Sequence, residues 1–317
     1  MSAPRRLQRQ PSFVKRPREE LEQIARESLA AVRRGQYTTD FGAESHPIQD
    51  LSSVPDSTEY FTPDSFADWA SASYTRHDAQ TKIVLCHTST LEGLRLCLHS
   101  PVSPTLPGIL NFASATSPGG GFLYGARAQE ESLARSSNLY SALSSPSAAP
   151  FYDLHNAAED PRHTHALIRV RSVRFFRDDS GVWVSPADAL VLSAAAPNVR
   201  ALRAQLQRAG ALPPGEDTPL PPNVAEAIHA LMHERMARVL AAFRDAGVQD
   251  LVLGAFGTGA FGNDVRATAA GWVALLSGEA APFRNVFQRV VFAVIDRETC
   301  GVFRDVFKKE GVDFQLV

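Results

Sequence analysis

The chain has 317 residues, 44% of them hydrophobic and 21% charged, enough apolar material for one large core or two small ones. Its net charge of −2 supplies no global attraction to nucleic acid or an anionic membrane, so a charged polymer has to be recognised at a local site. Three cysteines, Cys86, Cys97 and Cys300, are an odd number without a Cys-x-x-Cys pair, which argues against a disulfide framework or a zinc site and for a reducing compartment.

Residues 1–17 carry Arg5, Arg6, Arg9, Lys15 and Arg16 among proline and glutamine, and read as a mobile basic arm. No signal-peptide core follows it, and no run in the chain approaches the roughly 18 to 20 apolar residues of a membrane span; a cytoplasmic location and no membrane partner are the expectation. Residues 18–80 read as an N-terminal helical accessory region. Pro17 opens a helix whose stripe of Leu21, Ile24, Ala25, Leu29 and Val32 ends at Gly35. The stretch 36–63 is aperiodic and reads as an extended wrapping segment, and 64–74 as a short helix carrying Phe66 and Trp69.

From 81 to 317 the pattern changes to short apolar runs alternating with helical stretches. Strand-like runs fall at 82–86, 108–112, 166–170, 189–193, 250–254 and 290–295, with a further apolar run at 91–98; helices are expected near 129–143, 224–246, 266–276 and 299–309. Such alternation predicts a largely parallel sheet with helices on both faces, in one domain. Ligands of such folds bind outside the carboxyl ends of the strands. Two glycine-rich stretches follow strand-like runs and fall where that rule places a site.

The first is Ser117-Pro118-Gly119-Gly120-Gly121, followed seven residues later by Gln129-Glu130-Glu131. Three glycines let a backbone approach a ligand closely, and the helical face formed by Leu133, Tyr140 and Leu143 puts Glu130 and Glu131 in a helix's first turn. Acidic residues there also simply complement the helix dipole. Neighbouring helical residues point about 100° apart, so the two carboxylates have different roles. A general acid working at neutral pH needs a raised pKa. The helix dipole acts the other way, so burial and the like charge of the neighbour have to dominate. The second stretch, Gly254 to Asp264, has no lysine and is no Walker loop. Its Gly257, Thr258, Gly259 and Ala260 amides, beside a helix start near Asp264, form an anion nest; Phe261, Gly262 and Asn263 complete the loop. Asn111 and Ser114 lie at a strand end beside the triple glycine and are candidate sugar contacts, with a turn-capping asparagine as the plain alternative. His155, His163 and His165 have no supporting carboxylates, so no metal and no cofactor is expected.

The triple glycine with Gln129-Glu130-Glu131, preceded by Asn111-Phe112-Ala113-Ser114, resembles the catalytic signature of microbial poly(ADP-ribose) glycohydrolases, and the Gly254–Asp264 stretch is similar to the diphosphate loop of the same fold. The resemblance runs from about residue 80 to the C-terminus. It implies a macrodomain-like three-layer α/β/α sandwich with a mixed, largely parallel sheet and an N-terminal helical extension. It further implies hydrolysis of the ribose–ribose bonds of poly(ADP-ribose), with Glu131 as general acid and base, Glu130 orienting the scissile ribose, and Phe261 beside the substrate ribose. The implied ligand contacts are Asn111, Ser114, Gly119, Gly120, Gly121, Gln129 and residues 257–263. Glycosidases usually flank the bond with two separated carboxylates; an adjacent pair instead implies one catalytic carboxylate and an oxocarbenium-like state. The implied partners are poly(ADP-ribose), ADP-ribose and ADP-ribosylated proteins, without direct nucleic-acid readout. A non-catalytic ADP-ribose reader and a hydrolase of mono-ADP-ribose on protein or nucleic acid are the alternatives. Where such relatives follow Asn-Asp with proline, this chain has Val265.

Overall fold

The computed structural model describes residues 16–215 and 218–317, so the arm expected at the N-terminus lies almost wholly outside the described residues. In chain order the elements are α1 (Arg18–Arg34), β1 (Gln36–Thr38), β2 (Ser45–Pro47), β3 (Thr58–Phe61), β4 (Lys82–Cys86), α2 (Thr90–His99), β5 (Gly108–Phe112), α3 (Gln129–Ser136), α4 (Leu139–Leu143), α5 (Ala149–Ala158), β6 (Leu167–Arg177), β7 (Trp183–Ala194), α6 (Val199–Arg208), α7 (Pro222–Asp245), β8 (Asp250–Leu253), α8 (Val265–Leu276), β9 (Arg289–Ala293), α9 (Arg297–Lys309) and β10 (Phe314–Leu316).

One sheet runs β10-β4-β9-β8-β5-β7-β6-β3. It is parallel from β10 across to β7, and β6 and β3 add antiparallel pairings at one edge. The period-2 alternation of the strands splits the core into two layers. Ile83, Leu85, Leu110 and Leu192 pack with Met236, Trp272, Phe303 and Phe307 of α7, α8 and α9. Val84, Ile109, Val191 and Val291 face the other way, onto Leu94, Leu133, Leu139 and Phe151 of α2, α3, α4 and α5. The three-layer α/β/α arrangement and mixed, largely parallel sheet follow.

Three expectations change. The wrapping segment contains β3, which joins the main sheet beside β6; four residues are too few to show a period, and the strand is held by Arg169, whose guanidinium donates to Glu59. Residues 64–74 form a succession of turns rather than a helix, with Trp69 donating to Glu234 of α7. The helix expected over 129–143 breaks at Ser137, which is extended (φ −150°, ψ 179°). There Ser137 Oγ donates to Leu133 O, and Asn138 bonds Gln49 O and the Arg174 amide. Short polar side chains compete with the helical ladder in this way.

The N-terminal helix buttresses the site. Pro17 caps α1 and Gly35 ends it in the left-handed conformation. Ala25 of α1 and Ala134 of α3 enclose Phe122, whose ring is fully buried on the loop that carries the three glycines. Ser28 donates to Arg135 O of α3 and accepts from Arg177, tying α1 to both α3 and β6.

Candidate active site

Helix α3 starts at the residues Gln129-Glu130-Glu131, and their three side chains do different work. Gln129 spends its amide on the scaffold: Oε1 accepts from Phe112 N at 2.9 Å, and Nε2 donates to Leu110 O at 2.8 Å. Glu130 is only 2% exposed, and its carboxyl accepts from Asn111 Nδ2 at 3.2 Å and Ser114 N at 2.7 Å. Both side chains therefore clamp the helix start to the carboxyl end of β5. Glu131 instead meets the glycine loop, its Oε1 accepting from Gly121 N at 2.9 Å.

The triple glycine explains itself against these carboxylates. Gly120 has φ +58°, and a Cβ placed there would lie 2.5 Å from Glu131 Oε1 and 3.1 Å from Glu130 Oε2. Only glycine lets the backbone pass so close over the acid pair. The loop then makes one short turn, Phe122–Tyr124, before α3 begins.

Desolvation falls most heavily on Glu130. Burial pushes its pKa up to about 8, against the hydrogen bonds from Ser114 and Asn111 and with the help of the Glu131 charge. Arg135, one turn along α3, is buried with its guanidinium donating to Ala126 O; burial lowers its pKa to about 10 while the Glu131 charge raises it.

Of the sugar-contact candidates, Asn111 is fully buried. Its Nδ2 donates to Glu130 and to Ser193 Oγ of the adjacent strand, while its Oδ1 has no hydrogen-bond partner among the described residues. Ser114 offers its amide to Glu130, and its hydroxyl accepts from Ser117 N.

The second loop leaves β8 at Gly254 and enters α8, where Asp264 caps the helix by accepting from Ala267 N; Val265 in place of proline leaves this cap intact. Asn263 braces the loop from inside, donating to Gly257 O and Pro197 O, which makes it a scaffold residue. Gly257 is left-handed (φ +74°), with Ala196 packed where its Cβ would be. Thr258 donates its hydroxyl to Ala255 O. Gly259 and Ala260 are exposed, Phe261 and Gly262 are half-buried, and a Cβ at Gly259 would meet nothing within 4 Å.

A cavity of about 350 Å³ opens at the carboxyl ends of the strands beside the second loop; Gly119–Gly121, Glu130 and Glu131 are not among the residues that line it. Gln129 and Ser132 line it from α3, and Thr258 and Gly259 from the second loop. Its far wall comes from residues that the sequence reading did not single out: Thr88–Thr90 after β4, Ile295, Asp296 and Thr299 after β9, and Asp179 from the β6–β7 turn. The strand-end rule that located the glycine loops applies equally to β4 and β9; only the lack of a glycine signature hid them. Arg127, exposed on the first loop, also lines the cavity and donates to Arg16 O. His155 bonds Phe151 O through Nδ1 and accepts from Thr164 N through Nε2; His163 bonds Ala196 O. Among the described residues no three His, Cys, Asp or Glu side chains gather as a metal site.

A mixed α/β sheet with an acid pair under one glycine loop and an amide loop beside it defines a macrodomain-like hydrolase. Residues 25–178 match the family described as microbial-type poly(ADP-ribose) glycohydrolase (PARG), catalytic domain. The solved structure of PARG from Thermomonospora curvata is 34% identical and superposes with a TM-score of 0.78, covering 92% of this chain and 100% of that one. PARG from Deinococcus radiodurans in complex with ADP-ribose is 33% identical with a TM-score of 0.70, covering 82% and 97%. The Thermomonospora curvata enzyme bound to the inhibitor ADP-HPD gives 34% and 0.76, covering 91% and 99%. The comparison with curated proteins gives no match. This chain belongs to the microbial-type poly(ADP-ribose) glycohydrolase family.

Proposed function

We propose that this protein hydrolyses the ribose–ribose O-glycosidic bonds of poly(ADP-ribose) with Glu131 as the catalytic acid and base. The observation that carries the assignment of roles is the unequal engagement of the two carboxyls. Both oxygens of Glu130 are taken by Asn111 and Ser114, whereas Glu131 is held by a single amide on the glycine loop. Glu131 protonates the leaving ribose oxygen as its bond to the anomeric carbon breaks through an oxocarbenium-like state. It then takes a proton from the water that attacks that carbon, which releases ADP-ribose and restores the acid. Glu130, held at the end of β5, orients the scissile ribose. The distal ribose lies at the Gly119–Gly121 loop with Phe261 beside it, and the diphosphate on the amides of residues 257–260. The adenosine half occupies the cavity toward Thr90 and Asp296. Three buried free thiols, Cys86, Cys97 and Cys300, suit a reducing, cytoplasmic setting. ADP-ribosylated proteins are the natural carriers of the polymer.

The test is the product. Purified poly(ADP-ribose) incubated with the protein is expected to yield free ADP-ribose on chromatography, faster per bond than ADP-ribose leaves a mono-ADP-ribosylated protein. Tight ADP-ribose binding by calorimetry with no release from polymer would make the protein a reader instead. Release only from the mono-modified protein would make it a mono-ADP-ribosyl hydrolase.

A further inference from the structure

His163 combines four features that its place in a surface turn does not require. It is a non-glycine residue at φ +55°, a conformation that costs free energy and persists only where surroundings impose it. Its Nδ1 lies 2.7 Å from Ala196 O, which fixes the ring as an Nδ1–H donor. Its carbonyl accepts from Arg235, a fully buried arginine of α7 that also donates to Ala195 O and Arg162 O, so one cation pins both the 160–164 turn and the end of β7. Its ring lies 5.5 Å from the ring of Phe261, inclined at 55°, and 5.6 Å from that of His155. The ring stays uncharged across the neutral range, since burial lowers its pKa to about 4.

The backbone of Phe261 is fixed separately: its carbonyl accepts from Arg200 N at the start of α6. That bond leaves the ring to its packing: it lies against the apolar core on the α7–α9 side of the sheet, with His163 as its aromatic neighbour. We infer that His163 is a positioning residue, a strained backstop that holds the Phe261 ring in place for the substrate ribose; the inference rests on the reading of Phe261 as the ribose platform.

The experiment is a mutant cycle read by calorimetric titration with ADP-ribose, with melting curves alongside. His163→Gly suits φ +55° without strain and is expected to keep the melting temperature within a few degrees while weakening affinity about 5- to 10-fold. His163→Asn, which also tolerates the left-handed backbone and keeps a donor for Ala196 O, is expected to lose the same affinity because it too lacks the ring. In a Phe261→Ala background, His163→Gly is expected to have no further effect. Full affinity in His163→Asn would overturn the inference by assigning the role to the turn's backbone, and additive losses in the double variant would do so by uncoupling the two rings. If Phe261→Ala alone binds ADP-ribose normally, the platform reading fails instead, and the two failures stay distinguishable.

Discussion

Glu131→Gln is expected to reduce poly(ADP-ribose) hydrolysis by about two to four orders of magnitude while ADP-ribose affinity stays within a few-fold. The amide oxygen can still accept from Gly121 N, so the loop keeps its place; what is lost is a group able to give up and recover a proton. Glu131 is 8% exposed, and glutamine is close enough to it in size to open no void. Single-turnover release of ADP-ribose, beside a titration of the same variant, reads both quantities. Near-normal turnover would move the acid elsewhere.

Glu130→Gln is expected to be crippled differently, by about a hundredfold through lost positioning, and to carry a signature in stability. In the folded protein Glu130 titrates near pH 8, well above the ordinary carboxyl value of about 4.3. Between those values the folded state holds a proton that the unfolded chain has released, so stability falls as pH rises from about 4.5 through 8. Glutamine has no such slope. It does present an amide to two donors, Asn111 Nδ2 and Ser114 N, one of which goes unsatisfied at a cost of about 1 to 3 kcal/mol independent of pH. The variant should therefore melt well below the wild type near pH 5 and approach it near pH 8.5. Parallel melting curves across that range would mean that Glu130 is ionised in the fold, and a turnover loss exceeding that of Glu131→Gln would exchange the two roles.

Much of this arrangement was legible in the chain because the signals were local. Six apolar runs gave central strands, and Gly120 and the acidic first turn of α3 announced themselves by composition. What sequence could not supply was direction. Asn111, Gln129 and Asn263 read as ligand contacts; the fold also gives each a bracing hydrogen bond to neighbouring structure, because a side chain's partner depends on which strand or loop lies beside it. Asn111 meets Ser193 only because β5 pairs with β7. The same limit left the partners of the two carboxyls unread: adjacent positions on a helix differ by about 100° of rotation, and only the packed sheet shows that Glu130 meets Asn111 and the Ser114 amide while Glu131 meets the Gly121 amide. The edge strand β3 and the turns at 64–74 were missed for a different reason, since segments that short have no period to read.

We propose that the two glycine loops form one ADP-ribose site, with the diphosphate on the amides of residues 257–260. Gly259→Val tests it most directly. Position 259 lines the cavity, its backbone is not left-handed, and a new Cβ meets nothing within 4 Å, so the fold should accept valine and the ligand should not. Calorimetric titration with ADP-ribose beside a melting curve is expected to show at least a tenfold loss of affinity (about 1.4 kcal/mol or more) with a nearly unchanged melting temperature. Unchanged affinity per folded molecule would place the diphosphate elsewhere and contradict the account.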